Sequence, residues 1–527
     1  MAVARVNHPS RLTGLGLITS LSLSFVPPAQ YYPRRSGVSR KSLFGCLLFL
    51  ASPLSAQTLA QLDSNLVRNY VSVRAPLVAL THVRVIDGTG AAARDDQTVI
   101  IDNGKIRALG PAASTQVPAG AQVMDLTGKS VMPGIFGMHD HTFYPAGGRG
   151  GQRNHHLYSA PRMYLAAGVT SIRTAGTYEP YNDLNLMEDV RNGRTPGPRI
   201  NALGAYVDEN RGRVNSVDDA RRLVNYWVDE GAVGFKAYTN VRRDELKAAI
   251  DEAHKRGVKL TGHICSVTFR EAAAMGIDNI EHGYQVATDW DTGKQPDECR
   301  SPGQQGADYS SLDISSEPVQ AVIRDMVAHN VALTSTLAVF ECSVPGRPPL
   351  RPAFVESLSP ITRETRVTAW ERNKAVADSA EKGLSSGRGP TPAARVERAK
   401  KAFQKSMEFE RAFVKAGGHL MAGLDPTGSG CSLFGFGDQR NVQLLVEAGF
   451  TPVEAIKVVT YNGAKFMGQQ DSLGTIAAGK VADIVVIDGN PAQTIGDVEK
   501  VSVVFKNGVG YDPARLLADV KGQVGVN

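Results

Sequence analysis

Val131-Met132-Pro133-Gly134-Ile135-Phe136-Gly137-Met138-His139-Asp140-His141 marks the point at which the chain changes texture. Upstream, short β-rich runs at 83–86, 98–101, 105–109 and 122–126 are broken by Asp87-Gly88, Asn103-Gly104 and Thr127-Gly128. Asn-Gly between apolar runs is a strong hairpin signal, because both residues accept the left-handed backbone of a two-residue turn. This segment reads as a small all-β unit. Downstream, patterns alternate: 156–167 helical, 169–173 strand, 218–230 helical, 233–238 strand, 243–256 helical and 259–263 strand. Repeated βα units predict a parallel sheet or barrel. The final portion turns β-rich again at 483–487 and 501–506, closed by Asn507-Gly508, so two β segments flank the βα repeat.

Within the quoted stretch His139 and His141 are i and i+2. On a strand both imidazoles point to one face and can share a metal. Alone, such a pair fits structural histidines equally well. The spacing of other candidates adds weight, since a (β/α)₈ barrel of about 250 residues repeats every ~30. Lys236 lies 95 residues beyond His141, His263 a further 27 and His282 a further 19. Asp425 follows His282 by 143 residues, and two irregular stretches account for most of that surplus. One, 293–308, is polar and turn-rich; the other, 345–392, is rich in Pro, Arg and Ser. Loops this long are commonly functional lids or disordered. Each candidate then falls at the C-terminal end of a strand, where barrel enzymes place their active sites.

The 527 residues suit two to four domains, or one large α/β barrel with an appendage, and 42% hydrophobic against 21% charged side chains argues against a disordered chain. The formal charge of +6, from 58 Lys+Arg and 52 Asp+Glu, at first suggests an anionic partner. Arg5, Arg11, Arg34, Arg35, Arg40 and Lys41 carry all of that excess, with no acidic residue before Gln57. The basic cluster at 34–41, the apolar run 43–50 and the small residues ending at Ala56 read as a secretory signal peptide, with 1–56 as leader; the competing reading is a membrane anchor kept on the mature chain. The expectation is a periplasmic or secreted protein with no nucleic-acid partner and no membrane attachment after signal removal. Four cysteines remain beyond the leader, Cys265, Cys299, Cys342 and Cys431, enough for one or two bridges but not a disulfide scaffold.

Five signatures in order carry a resemblance. They are Val131-Met132-Pro133-Gly134 leading into His139-Asp140-His141, then Gly234-Phe235-Lys236-Ala237-Tyr238, Thr261-Gly262-His263, Ile280-Glu281-His282-Gly283 and Ala422-Gly423-Leu424-Asp425. Together they resemble the amidohydrolase superfamily, in particular its imidazolonepropionase-like and prolidase-like branch. The run Leu473-Gly474-Thr475-Ile476 through Gly479-Lys480-Val481-Ala482-Asp483 is similar to that branch as well. The resemblance spans 80–508. It implies a distorted (β/α)₈ TIM barrel over 132–470, with insertions near 293–308 and 345–392. A composite β-sandwich would form from 57–131 and 471–527.

Carried over residue by residue, the resemblance makes His139, His141 and Asp425 ligands of one divalent metal and His263 and His282 ligands of a second. Lys236, carbamylated on its amine, would bridge the two. Zinc is the expected metal, with manganese, iron and cobalt also suited to imidazole and carboxylate-type oxygens. A hydroxide bridging the metals would attack the carbonyl carbon of a carbon–nitrogen bond, with Asp425 as the general base that then protonates the leaving amine as that bond breaks. The substrate would be a dipeptide, including the Xaa-Pro type, an N-acyl amino acid or a cyclic amide. The alternative is a catalytically silent relative that only binds, although all six ligand positions are retained. A homo-oligomer is compatible with the resemblance, since relatives often assemble.

Tyr238, two residues beyond Lys236 on the same strand face, is a candidate substrate contact, with core filling the competing reading. Cys299 and Cys342 fall in the two long loops, expected at the catalytic face, and suggest a lid tied by a Cys299–Cys342 disulfide. Arg300, Arg347 and Arg351 in those loops would either favour acidic substrates or form a solvated charged surface. Cys265 is expected to be a small buried hydrophobe, and His155-His156 to cap a helix or face solvent. His82, His254, His329 and His419 lack ligand context.

Overall fold

A computed structural model describes residues 65–145, 153–300, 308–383 and 390–525. The signal-peptide reading of 1–56 lies outside these residues. The fold is mixed α/β, built on a nine-stranded sheet and two all-parallel sheets of three and five strands.

The nine-stranded sheet joins strands from 71–133 with strands from 484–511. Its order is Val71–Val73, Val509–Tyr511, Val501–Lys506, Ile484–Ile487, Ser130–Pro133, Leu77–Val85, Arg94–Asp102 and Lys105–Pro111, with Gln122–Asp125 also paired to Leu77–Val85. Ile484–Ile487 runs antiparallel to Ser130–Pro133, setting Val486 opposite Val131. Val78, Leu80, Val83 and Val85 turn to one face with Val99, Ile101, Ile484, Val486 and Phe505, all buried in one cluster. The hairpin expected at Asn103-Gly104 forms, with φ of 49° and 82° at the two turn residues.

Ile135–Asp140, Val169–Thr174 and Arg199–Asn201 form the three-stranded parallel sheet. Gly234–Ala237, Lys259–Gly262, Asn279–Glu281, Ala332–Ser335 and Leu420–Ala422 form the five-stranded one. Backbone hydrogen bonds link the sheets on both sides. Val233 N–H donates to Ala202 O at 2.9 Å and Val207 N–H to Lys236 O at 2.9 Å. Asp425 N–H donates to His139 O at 2.9 Å, bringing the end of the last parallel strand beside the first. A side chain at Gly423 would place its Cβ 2.1 Å from the backbone nitrogen of His139, so glycine alone permits this approach. Buried residues of the strands and surrounding helices share one large apolar core, including Ile135, Ile172, Phe235, Leu260, Ile280 and Leu333.

Several expectations need correction. The stretch 345–392 is largely helical rather than loop: Pro352–Ser357 and Pro360–Glu381 lie within it, and Pro392–Lys415 begins at its end. Pro352, Pro360 and Pro392 sit at the helix starts, where a fixed φ and a missing N–H cost nothing, and Ser359 and Thr391 cap the two long helices. The two long helices pack against each other.

The Cys299–Cys342 disulfide does not form. Cys265 pairs with Cys299 at a Cα separation of 5.0 Å, and Cys342 with Cys431 at 5.9 Å. Each loop is tied back to the segment beyond a neighbouring strand instead of to the other loop, so Cys265 is a bridge and not a free hydrophobe. The loop arginines are not free charges either. Arg300 meets Asp291 at 2.6 Å, Arg347 meets Glu341 and Glu447 at 2.7 Å each, and Arg351 meets Glu499 at 3.2 Å.

Candidate metal centre

His139 and His141 lie at the end of Ile135–Asp140, both essentially without solvent exposure. Lys236 lies within Gly234–Ala237, while His263, His282 and Asp425 follow Lys259–Gly262, Asn279–Glu281 and Leu420–Ala422. The six predicted positions therefore gather at the C-terminal ends of five parallel strands.

Three imidazoles present Nε2 to one carboxylate. His139 Nε2 is 3.6 Å from Asp425 Oδ2, His141 Nε2 is 3.7 Å from Oδ1, and His282 Nε2 is 3.8 Å from Oδ2. Ligand atoms of His139, His141 and Asp425 all lie within 4.8 Å of one another. Lys236 Nζ is 3.0 Å from His139 Nε2. His263 joins through its ring, whose centroid is 4.4 Å from that of His282.

The opposite ring nitrogens are each held. His139 Nδ1 meets Glu281 Oε2 at 2.7 Å, His141 Nδ1 donates to Gly176 O at 3.0 Å, and His282 Nδ1 bonds Thr336 Oγ1 at 2.8 Å. Such anchoring sets ring orientation and leaves Nε2 as the ligating atom. Glu281 in turn accepts from Arg173 at 2.5 Å and from Thr261, and Arg173 also donates to Asn279 Oδ1 at 3.0 Å.

The electrostatics favour a cation. Burial holds all four imidazoles neutral: His139, His141 and His282 fall well below the ordinary histidine range, and His263 to about 3. Burial brings the Lys236 amine down to about 8, against the opposing pull of Glu281 and Asp425. Burial raises the Asp425 carboxyl, although Lys236 counteracts it. Burial would also raise Glu281, but Arg173 and Lys236 outweigh it and hold that carboxylate below its usual range. Asp425 Oδ1 is buried with no hydrogen-bond partner among the described residues. Neutral imidazoles with committed Nδ1 atoms around a carboxylate oxygen lacking a donor are the donor set of a divalent-metal site.

Several contributors escaped the sequence reading. Glu281 and Arg173 are opposite charges inside short buried strands, which is the signal that marks them. Gly176 and Thr336 act through a backbone carbonyl and a hydroxyl, so nothing in their residue type announces them. Asp140 and Asp438 are fully buried partners whose carboxyls are both raised, Asp140 to about 7, chiefly by burial and with each group facing the other. Tyr238 has its ring centroid 4.8 Å from that of His263, with the Arg211 guanidinium 3.9 Å above the Tyr238 ring. Tyr206 completes this wall, its ring 5.2 Å from Tyr238. His155 and His156 do not cap a helix. His155 ends the strand Arg153–His155, and His156 is buried against Tyr144 and Phe434. His82, His254, His329 and His419 bond Asp96, Asp278, the Asp325 carbonyl and the Asn462 carbonyl.

Comparison with known proteins places this geometry in a family. The profile described as "Amidohydrolase family" matches residues 130–510, and the chain belongs to that family. A solved Xaa-Pro dipeptidase with bound methionine is similar at 18% identity and a TM-score of 0.58, covering 83% of this chain and 100% of that one. The bottromycin amidohydrolase is similar at 20% identity and a TM-score of 0.61, covering 90% and 95%. Adenine deaminase 2 of Jannaschia sp. (strain CCS1) is 41% identical over 59 residues, 11% of this chain and 10% of the relative. This chain thus spans about a tenth of the length of the curated relatives it matches.

Proposed function

We propose that this protein is an exported, metal-dependent amidohydrolase that cleaves the amide or peptide bond of a dipeptide, an N-acyl amino acid or a cyclic amide. The observation that carries the reading is the convergence of three Nε2 atoms on the Asp425 carboxylate, with Lys236 beside them. We assign the eight parallel strands to a distorted (β/α)₈ barrel over 132–470. The sheet built from both chain ends is assigned to the composite β domain of 57–131 and 471–527.

His139, His141 and Asp425 would hold one divalent ion, His263 and His282 a second, and Lys236 as a carbamate would bridge them, with zinc the expected metal. When bound, such ions supply an acidified water and a polarised scissile carbonyl. The chain's own groups supply the rest. A neutral Lys236 amine, favoured by burial, is the form that reacts with CO₂. Asp425 Oδ1, free of hydrogen-bond donors, is placed to take the proton of the attacking water and return it to the leaving nitrogen. Tyr238 and Arg211 offer a flat aromatic face and a charge beside His263 to orient the substrate. Glu281 and Thr336 keep the histidine edges aimed inward.

Export is supported by the leader pattern of 1–56 and by the pairing of all four remaining cysteines, which suits an oxidising compartment. The likeness in fold to an Xaa-Pro dipeptidase supports keeping peptides among the candidate substrates. A screen of purified holoenzyme against Xaa-Pro and Xaa-Arg dipeptides, N-acyl amino acids and small lactams tests the reading. Hydrolysis of at least one class that is lost with chelator is expected; no turnover in any class at full metal occupancy would overturn it.

A further inference from the structure

A cavity of about 1300 Å³ opens beside the metal centre, between the helix Pro360–Glu381 and the segment that follows Asp425. Its walls include Phe340, Phe354, Trp370 and Phe436, and no metal-centre residue lines it. It nevertheless abuts that centre. The Phe340 ring stands edge-on to His282, with centroids 5.7 Å apart, and the lining residues Gly428 and Ser429 lie within four residues of Asp425.

Arg366 gives the cavity its chemistry. The side chain lines the cavity although the residue is only 7% exposed. Its two terminal nitrogens donate to the carbonyls of Ser429 and Pro145, the latter at 2.6 Å, and its guanidinium sits over the Tyr144 ring. Nε has no hydrogen-bond partner, and no carboxylate pairs with Arg366 among the described residues. The other partly buried arginines of the cavity differ: Arg347 and Arg440 share Glu341, and Arg351 takes Glu499. A buried cation without a counter-ion is costly unless a ligand supplies the charge. Aromatic walls with one unmatched guanidinium complement an aryl or long apolar body that carries a carboxylate.

We infer that this cavity is the distal substrate subsite: it takes the apolar, carboxylate-bearing portion of an amide substrate, with the carboxylate at Arg366 and the scissile bond at the metal centre. The inference rests on the amidohydrolase reading above and narrows its substrate class. The brace that Arg366 forms between the segments after His141 and Asp425 is retained in that role: Nε is buried against Gly430, and each terminal nitrogen keeps a second N–H beyond its carbonyl bond for the ligand carboxylate.

Two measurements separate this subsite from the activity itself. In the first, 4-phenylbutyrate and its primary amide are titrated by calorimetry into chelator-treated protein. The acid is expected to bind about tenfold or more tightly than the amide. That preference should fall to within about twofold in Arg366→Gln, and Ala369→Trp, which fills the cavity one helical turn from Arg366, should abolish binding of both. In the second, kcat/KM of holoenzyme is compared for N-acyl substrates that differ only in a distal carboxylate or carboxamide, and the same acid preference is expected. Circular dichroism confirms that each variant is folded, and Ala369→Trp keeps the test open if Arg366→Gln is not. Equal binding of acid and amide, or binding unaffected by Ala369→Trp, overturns the subsite even where small amides are hydrolysed. Carboxylate binding at Arg366 in a protein that hydrolyses no amide would uphold the ligand site and refute the enzyme reading.

Discussion

His139 Nδ1 lies 2.7 Å from Glu281 Oε2, and the other oxygen of that carboxylate takes the Arg173 guanidinium at 2.5 Å. The arrangement decides which edge of the imidazole faces the site. With its Nδ1 proton given to Glu281, His139 must turn an Nε2 lone pair toward Lys236 and Asp425. A buried ion pair remote from solvent thereby sets the tautomer of a candidate ligand.

Replacing that carboxylate tests the coupling. Glu281→Gln is expected to weaken metal binding by about 10- to 100-fold, read by competition with a chromophoric chelator. It also leaves Arg173 without its counter-charge and should lower the melting temperature. Unchanged metal affinity with reduced stability would mean that Glu281 serves only to neutralise Arg173.

The disulfides provide a covalent check of the loop arrangement. Peptide mapping without reductant should recover Cys265 linked to Cys299 and Cys342 linked to Cys431. The two bridges close loops of 34 and 89 residues. Opening either by a double Cys→Ser substitution should cost about 2–5 kcal/mol of stability. A Cys299–Cys342 peptide would contradict the placement of both loops.

Glu410, buried on the helix Pro392–Lys415, gives a pH signature of its own. Burial pushes its carboxyl up to about 8, Ser335 only partly counteracting, and Oε2 has no partner among the described residues. The folded protein keeps a proton that the unfolded chain releases above its ordinary value of 4.5. This group's contribution to stability is therefore complete below pH 4.5 and is lost as pH rises to 8, at up to about 1.4 kcal/mol per pH unit. Denaturant titrations between those limits should show Glu410→Gln with a shallower loss than wild type, and more stable at pH 8. Parallel profiles would show that the carboxyl ionises normally in the folded state.

Much of this site is legible in sequence because its residues combine unusual chemistry with strand periodicity. His139 and His141 announce themselves by i, i+2 spacing, and Lys236 by an ammonium among Val233, Gly234, Phe235 and Ala237. The hairpin at Asn103-Gly104 is equally legible, since its turn needs two left-handed residues. Three kinds of feature are not. Gly176 contributes only a carbonyl, and any residue type has one. Four cysteines allow three pairings, and only tertiary proximity selects between them. Pro352, Pro360 and Pro392 punctuate a loop or open a helix with the same φ, so composition alone misread the helical insertion.

The most direct test is metal content together with turnover, in wild type and Asp425→Asn, after purification without chelator. About two divalent ions per chain, activity that chelation removes and metal restores, and a loss of roughly 10²–10⁴ in kcat for Asp425→Asn are the expected results. Fewer than about one ion per chain in an active enzyme, or an Asp425→Asn variant as active as wild type, would contradict the metal-dependent mechanism assigned to these six residues.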